Sequence, residues 1–245
     1  MIMEIAESIF KFILASLNVC ALAFTLILDN FTNEMLHSFP DNICCIGLQG
    51  SYGRREASAD SDLDLVVIFK SFSLEVLQQY KSLLLRLGND YKLCGFVGSV
   101  AILKSWNEGE LLQLYFDTVP VYGNLDFIKD RVTDEAAAKL VLQNSCLIYH
   151  ACCHNFLFDE EQAILKELYK TAVFTVQAKY YHVHHVYVSK HSELSNVVIG
   201  ADKKILEMAV KLKMGDKFTA EQLTAYSDLL LQWSEDNIIA YGKNK

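Results

Sequence analysis

The stretch that most constrains this chain is Ile43-Cys44-Cys45-Ile46-Gly47-Leu48-Gln49-Gly50-Ser51, then ten residues, then Asp62-Leu63-Asp64-Leu65-Val66-Val67-Ile68. Ile43 to Leu48 and Leu63 to Phe69 are short β-compatible runs, and the polar stretch Gly50 to Ser61 lies between them. Side chains on a strand alternate faces, so Asp62 and Asp64 fall on one face and Leu63 and Leu65 on the other. Two carboxylates so placed stand about 7 Å apart along the strand and can share divalent cations. A glycine after a strand lets the backbone approach a phosphate closely. The Ser51 hydroxyl and the free N–H groups of a following helix start can then hold that phosphate. An Asp-x-Asp alone is a weak signal, and it is the conjunction of strand, Gly-Ser, gap and second strand that carries information.

The flanking text gives this turn a setting. Residues 1–28 read as helix, Asp29-Asn30-Phe31-Thr32 as a break, and a second short helix runs to about Ser38 before a turn at Pro40-Asp41-Asn42. Ser73 to Leu87 has apolar residues at helical spacing, with Gly88-Asn89-Asp90 as its stop. Phe96 to Leu103 reads as a third strand, and Glu108 to Phe116 as a short helix leading into Val119-Pro120-Val121-Tyr122-Gly123. From Asp134 onward there is no proline, and the patterns are amphipathic: Asp134–Phe156, Glu160–Lys190, Asp202–Leu212 and Thr219–Tyr241. The expectation is an α/β (α+β) domain over residues 1–130, with N-terminal helices within 1–39, and an all-α helical-bundle domain over 131–245.

Charge narrows the partners. The net charge is −8, the wrong sign for a protein that wraps a long nucleic acid through many phosphate contacts. The first 133 residues hold 16 acids against 10 bases, and an acidic cleft there would attract divalent metals and cationic substrates. Seven cysteines with no CxxC pair read as reduced cytoplasmic thiols. The apolar segment Phe12 to Leu28 reads as a buried or partner-packing helix and not as a signal or membrane span, because Glu4 and Glu7 oppose a single lysine in its flank and Ser16 and Asn18 interrupt it. No membrane partner is expected, and the chain is expected to be a monomer or a homodimer.

The stretch resembles the signature of the DNA polymerase β superfamily of nucleotidyltransferases, in particular its minimal and antibiotic-modifying (aminoglycoside- and lincosamide-type) members. Gly50, Ser51, Arg54, Glu56, Ala57, Ser61, Asp62 and Asp64 fall on that pattern, and Arg55 stands where glycine is usual. The resemblance implies a mixed β-sheet in the first domain and a helical bundle in the second. It also implies catalytic Asp62 and Asp64 as ligands of Mg²⁺ or Mn²⁺, and Gly50, Ser51 and Arg54 on the phosphates of ATP or another nucleoside triphosphate. Ser189-Lys190-His191-Ser192-Glu193-Leu194 resembles a Lys-x-x-Glu-Leu segment whose lysine reaches the triphosphate, so Lys190 joins the candidates; a solvent-exposed lysine is the plain alternative. The superfamily often places a third carboxylate on a later strand. The strand nominated here has none, leaving Glu108, Glu110 and Asp117 nearby, with Asp117 the preferred catalytic candidate.

The implied reaction is transfer of a nucleoside monophosphate, AMP from ATP, to a hydroxyl of a small-molecule acceptor such as an aminoglycoside-like antibiotic, with release of pyrophosphate. Two rivals stand beside it: an antitoxin-like nucleotidyltransferase acting on a protein partner, and a nucleotide-binding homologue without catalysis. His150, Cys153 and His154 with Cys146 share a helix face, but ligands along one straight helix cannot close a tetrahedron, so a half-buried face is the better reading. Tyr180-Tyr181-His182-Val183-His184-His185 reads as a helix–helix interface, with a substrate-lining wall as the alternative.

Overall fold

The structure, a computed structural model, describes residues 24–58, 61–88, 93–214 and 218–243. The predicted helix up to residue 23, Asn89-Asp90 and Gly215 lie outside them. The first element, α1 over residues 24–38, buries Leu28, Phe31 and Met35, with Phe39 just beyond its end. This spacing of three and four keeps one helical face on the core. The break expected at Asp29–Thr32 does not occur. Asp29 and Asn30 point to solvent while Leu28 and Phe31 are held by packing, and tertiary burial overrides the local turn preference.

The sheet is mixed and has the strand order β3-β2-β1-β4. Strand β1 (Ile43–Leu48) pairs antiparallel with β2 (Leu63–Phe69) and with β4 (Val119–Gly123), while β2 pairs parallel with β3 (Leu93–Ser99). The α2 turn (Gly50–Gly53) joins β1 to β2, and α3 (Leu74–Leu87), capped by Ser73, crosses over to β3. Alternation along β2 divides the core. Leu63, Leu65, Val67 and Phe69 pack with α1 and with Tyr80 and Leu83 of α3, whereas Val66 and Ile68 face Leu103, Leu111, Leu114 and Ile128. Burying each such side chain is worth about 1.5–3 kcal/mol. Strand β3 stops earlier than the expected Leu103, because the Ser99 hydroxyl accepts from the Ile102 N–H and starts the single turn α4 (Val100–Leu103). Helix α5 (Glu108–Asp117) follows, with Asn107 accepting from Gly109 and Glu110 at its start. The Val119–Gly123 stretch, expected only as a continuation, is the edge strand β4.

After a 3-10 turn (Asp126–Arg131) the chain is helical: α6 (Asp134–His154), a π turn (Asn155–Asp159), α7 (Gln162–His184), α8 (His191–Val197), α9 (Gly200–Met214) and α10 (Ala220–Gly242). Tyr169, Leu165, Ile148, Leu230 and Trp233 centre the bundle core. Lys179 of α7 donates to Asp202 and Asn237 at 3.0 Å each, and the Trp233 indole donates to Asp202 at 2.7 Å, so one polar network ties three helices. The long helix expected to reach Lys190 ends at His184. His185 takes a left-handed conformation, φ 56°, and its N–H returns to the Tyr181 carbonyl. That frees Val186 to Lys190 to run as an irregular segment. Among the described residues no helix is long and apolar enough to cross a membrane.

Candidate active site

The turn after β1 is set by backbone contacts. Gln49 donates its N–H to the Asp64 carbonyl at 2.8 Å and its side chain to the Thr118 hydroxyl at 3.0 Å, which fixes the strand end against both β2 and the end of α5. Gly50 sits at φ +62°, and a Cβ there would lie 1.8 Å from Asp64 Oδ2. Only glycine permits that approach, for both handedness and space. Arg54 N–H returns to the Gly50 carbonyl at 3.1 Å and Glu56 N–H to the Ser51 carbonyl at 2.8 Å. Arg55 is itself left-handed at φ 60°.

Asp62 and Asp64 precede Val66 and Ile68 on the same face of β2, the face toward α5. Asp62 is exposed and Asp64 half-buried. Burial and the neighbouring Asp62 charge push the Asp64 carboxyl above its usual range, against the pull of Lys170 and Arg54. A divalent cation would relieve that repulsion. Mg²⁺ typically takes one or two carboxylates together with substrate phosphates, and the Asp62/Asp64 pair beside a backbone that Gly50 keeps open fits that donor set. Among the described residues no group of three or more His, Cys, Asp or Glu side chains is placed to hold a metal, so Asp117 is not brought to the pair as a third ligand.

Asp117 occupies a different part of the site. It ends α5, is 4% exposed, and neither carboxylate oxygen has a hydrogen-bond partner of good geometry. Burial pushes its pKa up to about 6, opposed by Arg54 and by the nearby Tyr187, Ser189 and Gln113 polar groups. The carboxyl in turn helps raise the Tyr187 phenol well above its ordinary range, after burial as the larger cause. Asp117 therefore stands behind Arg54, facing the irregular segment that follows α7.

That segment forms the second wall of a cleft of about 430 Å³. Gly53, Arg54 and Arg55 line one side, and Val186 to Lys190 with Glu193 line the other. Gln177, fully buried in α7, donates to the Val188 and Ser189 carbonyls at 3.0 Å each and holds the segment's course. Phe116 stacks on Tyr187 at 4.6 Å and packs on Tyr181 at 5.1 Å, so the aromatic run after residue 180 is partly a helix interface, with His182 bonded to the Asp134 carbonyl at 3.0 Å. Lys190 reaches the cleft but is paired to Glu193 at 2.6 Å. His154, on the helix face with Cys146 and Cys153, pairs with Asp159 at 3.0 Å. Sequence reasoning missed Lys170, which bears on Asp64 from α7, and the role of Glu56, which reaches His191 and Ser192. Both contacts span more than a hundred residues and leave no local pattern. Only the place of Glu56 in the motif marked it.

Residues 29–138 match the nucleotidyltransferase domain family. The matched stretch carries the sheet, Gly50-Ser51 and Asp62/Asp64, and it is this stretch that has the character of a nucleotidyltransferase domain. Curated proteins give no sequence match. Among solved structures the chain is similar to spectinomycin adenyltransferase AAD(9) from Enterococcus faecialis, solved with ATP and spectinomycin. The TM-score is 0.55 at 10% identity, over 86% of this chain and 99% of that one. At that identity the likeness is one of fold, and it extends through the helical region as well as the sheet.

Proposed function

We propose that the chain transfers a nucleoside monophosphate, AMP from ATP, to a hydroxyl of a small-molecule acceptor and releases pyrophosphate. The observation that carries this reading is Gly50 pressed against the Asp64 carboxylate, with Asp62 on the same strand face. That arrangement puts an open backbone turn directly beside a pair of acids. Asp62 and Asp64 would hold Mg²⁺ or Mn²⁺, which when bound neutralises charge on the triphosphate during in-line displacement. Gly50 and Ser51 bind the phosphates, and Arg54 and Lys190 add positive charge from the two sides of the cleft. Asp117, a buried carboxylate whose charge bears on Arg54, acts on the orientation of Arg54 and not as a metal ligand.

The acceptor would enter between the sheet and the helical region. The acidic balance of the chain, −8 overall, favours a cationic acceptor, and the structurally similar protein was solved with spectinomycin, so an aminoglycoside-like antibiotic heads the candidates. Free cysteines and the use of ATP fit a cytoplasmic location, and the two-walled cleft lies within one chain, compatible with a monomer or a homodimer. The test is pyrophosphate release with four nucleoside triphosphates against aminoglycosides, lincosamides and simple sugars. Asp62→Asn and Asp64→Asn should each lower release at least about a hundredfold with the circular dichroism spectrum and melting temperature retained. Undiminished release in both variants would overturn the assignment.

A further inference from the structure

Glu56 directly follows the Arg54-Arg55 turn, yet its carboxylate is engaged with the far end of the chain. Its Oε1 accepts from the Ser192 N–H at 3.0 Å and from the Ser192 hydroxyl at 2.7 Å. Its Oε2 accepts from the His191 N–H at 3.3 Å and from Arg54 Nε at 3.3 Å. The residues it reaches open α8 and lie immediately after Lys190, while Glu56 lies immediately after Arg55. The bridge thus joins the residue after Arg55 on one wall to the two residues between Lys190 and Glu193 on the other. Burial works against ionisation of Glu56, but the Ser192 and His191 hydrogen bonds outweigh it and hold the carboxyl below its usual range, so it is an anion at neutral pH.

We propose that Glu56 is the positioning residue that fixes the width of the nucleotide cleft and the aim of Arg54 within it. This rests on the reading of the cleft as a triphosphate site. The Val186–Lys190 segment is also held by α5, where Phe116 stacks on Tyr187 and its carbonyl accepts from the Ser189 hydroxyl at 3.4 Å. Removing the Glu56 carboxylate frees the start of α8 and the Arg54 guanidinium together. A shared anion of this kind couples its partners, and charge-assisted hydrogen bonds are stronger than neutral ones. The consequence falls on triphosphate binding, because Arg54 also bears on Asp64 and Asp117.

The experiment compares ATP and AMP binding by calorimetry with Mg²⁺, together with hydrogen exchange over residues 191–197, in the full-length wild type, Glu56→Ala, Glu56→Gln and Ser192→Ala. Glu56→Ala should weaken ATP about tenfold or more and AMP much less, with faster exchange in α8. Glu56→Gln keeps an acceptor for Ser192 but loses the charge facing Arg54, and should fall between the two. Ser192→Ala, remote from Arg54, should cost a few-fold and decides the matter if Glu56→Ala does not fold. Faster α8 exchange with unchanged ATP affinity would reduce Glu56 to a stabilising contact and overturn the proposal, as would equal weakening of ATP and AMP. A wild-type chain that binds no nucleotide overturns the reading of the cleft itself, a signature distinct from either.

Discussion

The two walls of the cleft are built by different means. On one side, β1, the Gly50–Gly53 turn and β2 are joined by ladder hydrogen bonds and by contacts between residues close in sequence. On the other, Val186 to Lys190 has no regular structure of its own and is held by Gln177, by Phe116 and, through α8, by Glu56, the last from 135 positions away. The first wall is specified by local text and the second by tertiary contacts. Glu56 is where the two kinds of construction are joined, since it holds Arg54 on the first wall and the start of α8 on the second. The division says where damage should be catastrophic and where it should be graded.

The sharpest way to break the comparison is on the first wall. Gly50→Ala places a methyl 1.8 Å from Asp64 Oδ2 at φ +62°. The left-handed conformation alone costs about 1–2 kcal/mol for a residue with a Cβ, and the Asp64 carboxylate must move. A shift of about 1 Å in a reacting group costs about a hundredfold in rate, so pyrophosphate release should fall by at least that factor. Release within a few-fold of wild type would mean that the turn is as adaptable as the second wall.

Asp117 tests the second wall through pH. Its folded pKa, about 6, lies above its ordinary value of 3.8, so between those values the folded state holds a proton that the unfolded state has lost. Stability therefore falls as pH rises through that window, by on the order of 2–3 kcal/mol in total. Glu56 has the opposite sign: its lowered pKa contributes stability at neutral pH that is lost only as pH falls below the ordinary carboxyl range. Urea midpoints at half-unit steps from pH 4 to 7 should show the Asp117 decline in the wild type and not in Asp117→Asn. The same slope in both would remove Asp117 as its source.

The difference between the walls also explains what the sequence disclosed. Strand β2 and its carboxylate face were legible because a period-2 pattern and a Gly-Ser at fixed spacing are local features, and α3 was legible because its apolar residues recur at helical spacing up to Leu87. Helix α7 was expected to run six residues too far because nothing in Val183-His184-His185-Val186 breaks a helix; the stop is a left-handed His185, which L-residues adopt only when the surroundings demand it. Asp117 was found as a nearby acid, but its facing toward Arg54 and Tyr187 depends on the end of α5 meeting a segment seventy residues later. The continuous α1 was missed for the related reason that burial of Leu28 and Phe31 outweighs an Asp-Asn pair on the solvent side.

The smallest expected effect lies where the two kinds of construction meet. Arg55 lines the cleft and is held at φ 60°, a conformation that is unstrained only for glycine. Arg55→Gly removes a handedness cost of about 1–2 kcal/mol but adds back flexibility to the unfolded chain worth about 0.4–1 kcal/mol. The net should be a gain of a few tenths to one kcal/mol, seen as a melting temperature higher by about 1–3 °C for a chain of this size. The same change takes a cation from the cleft wall, so ATP affinity should drop about threefold, whereas Arg55→Ala should lose the affinity without the thermal gain. Opposite movements of stability and affinity in Arg55→Gly would show strain held in the turn to serve the cleft. A lower melting temperature would instead mean that the Arg55 side chain is part of what holds the two walls together.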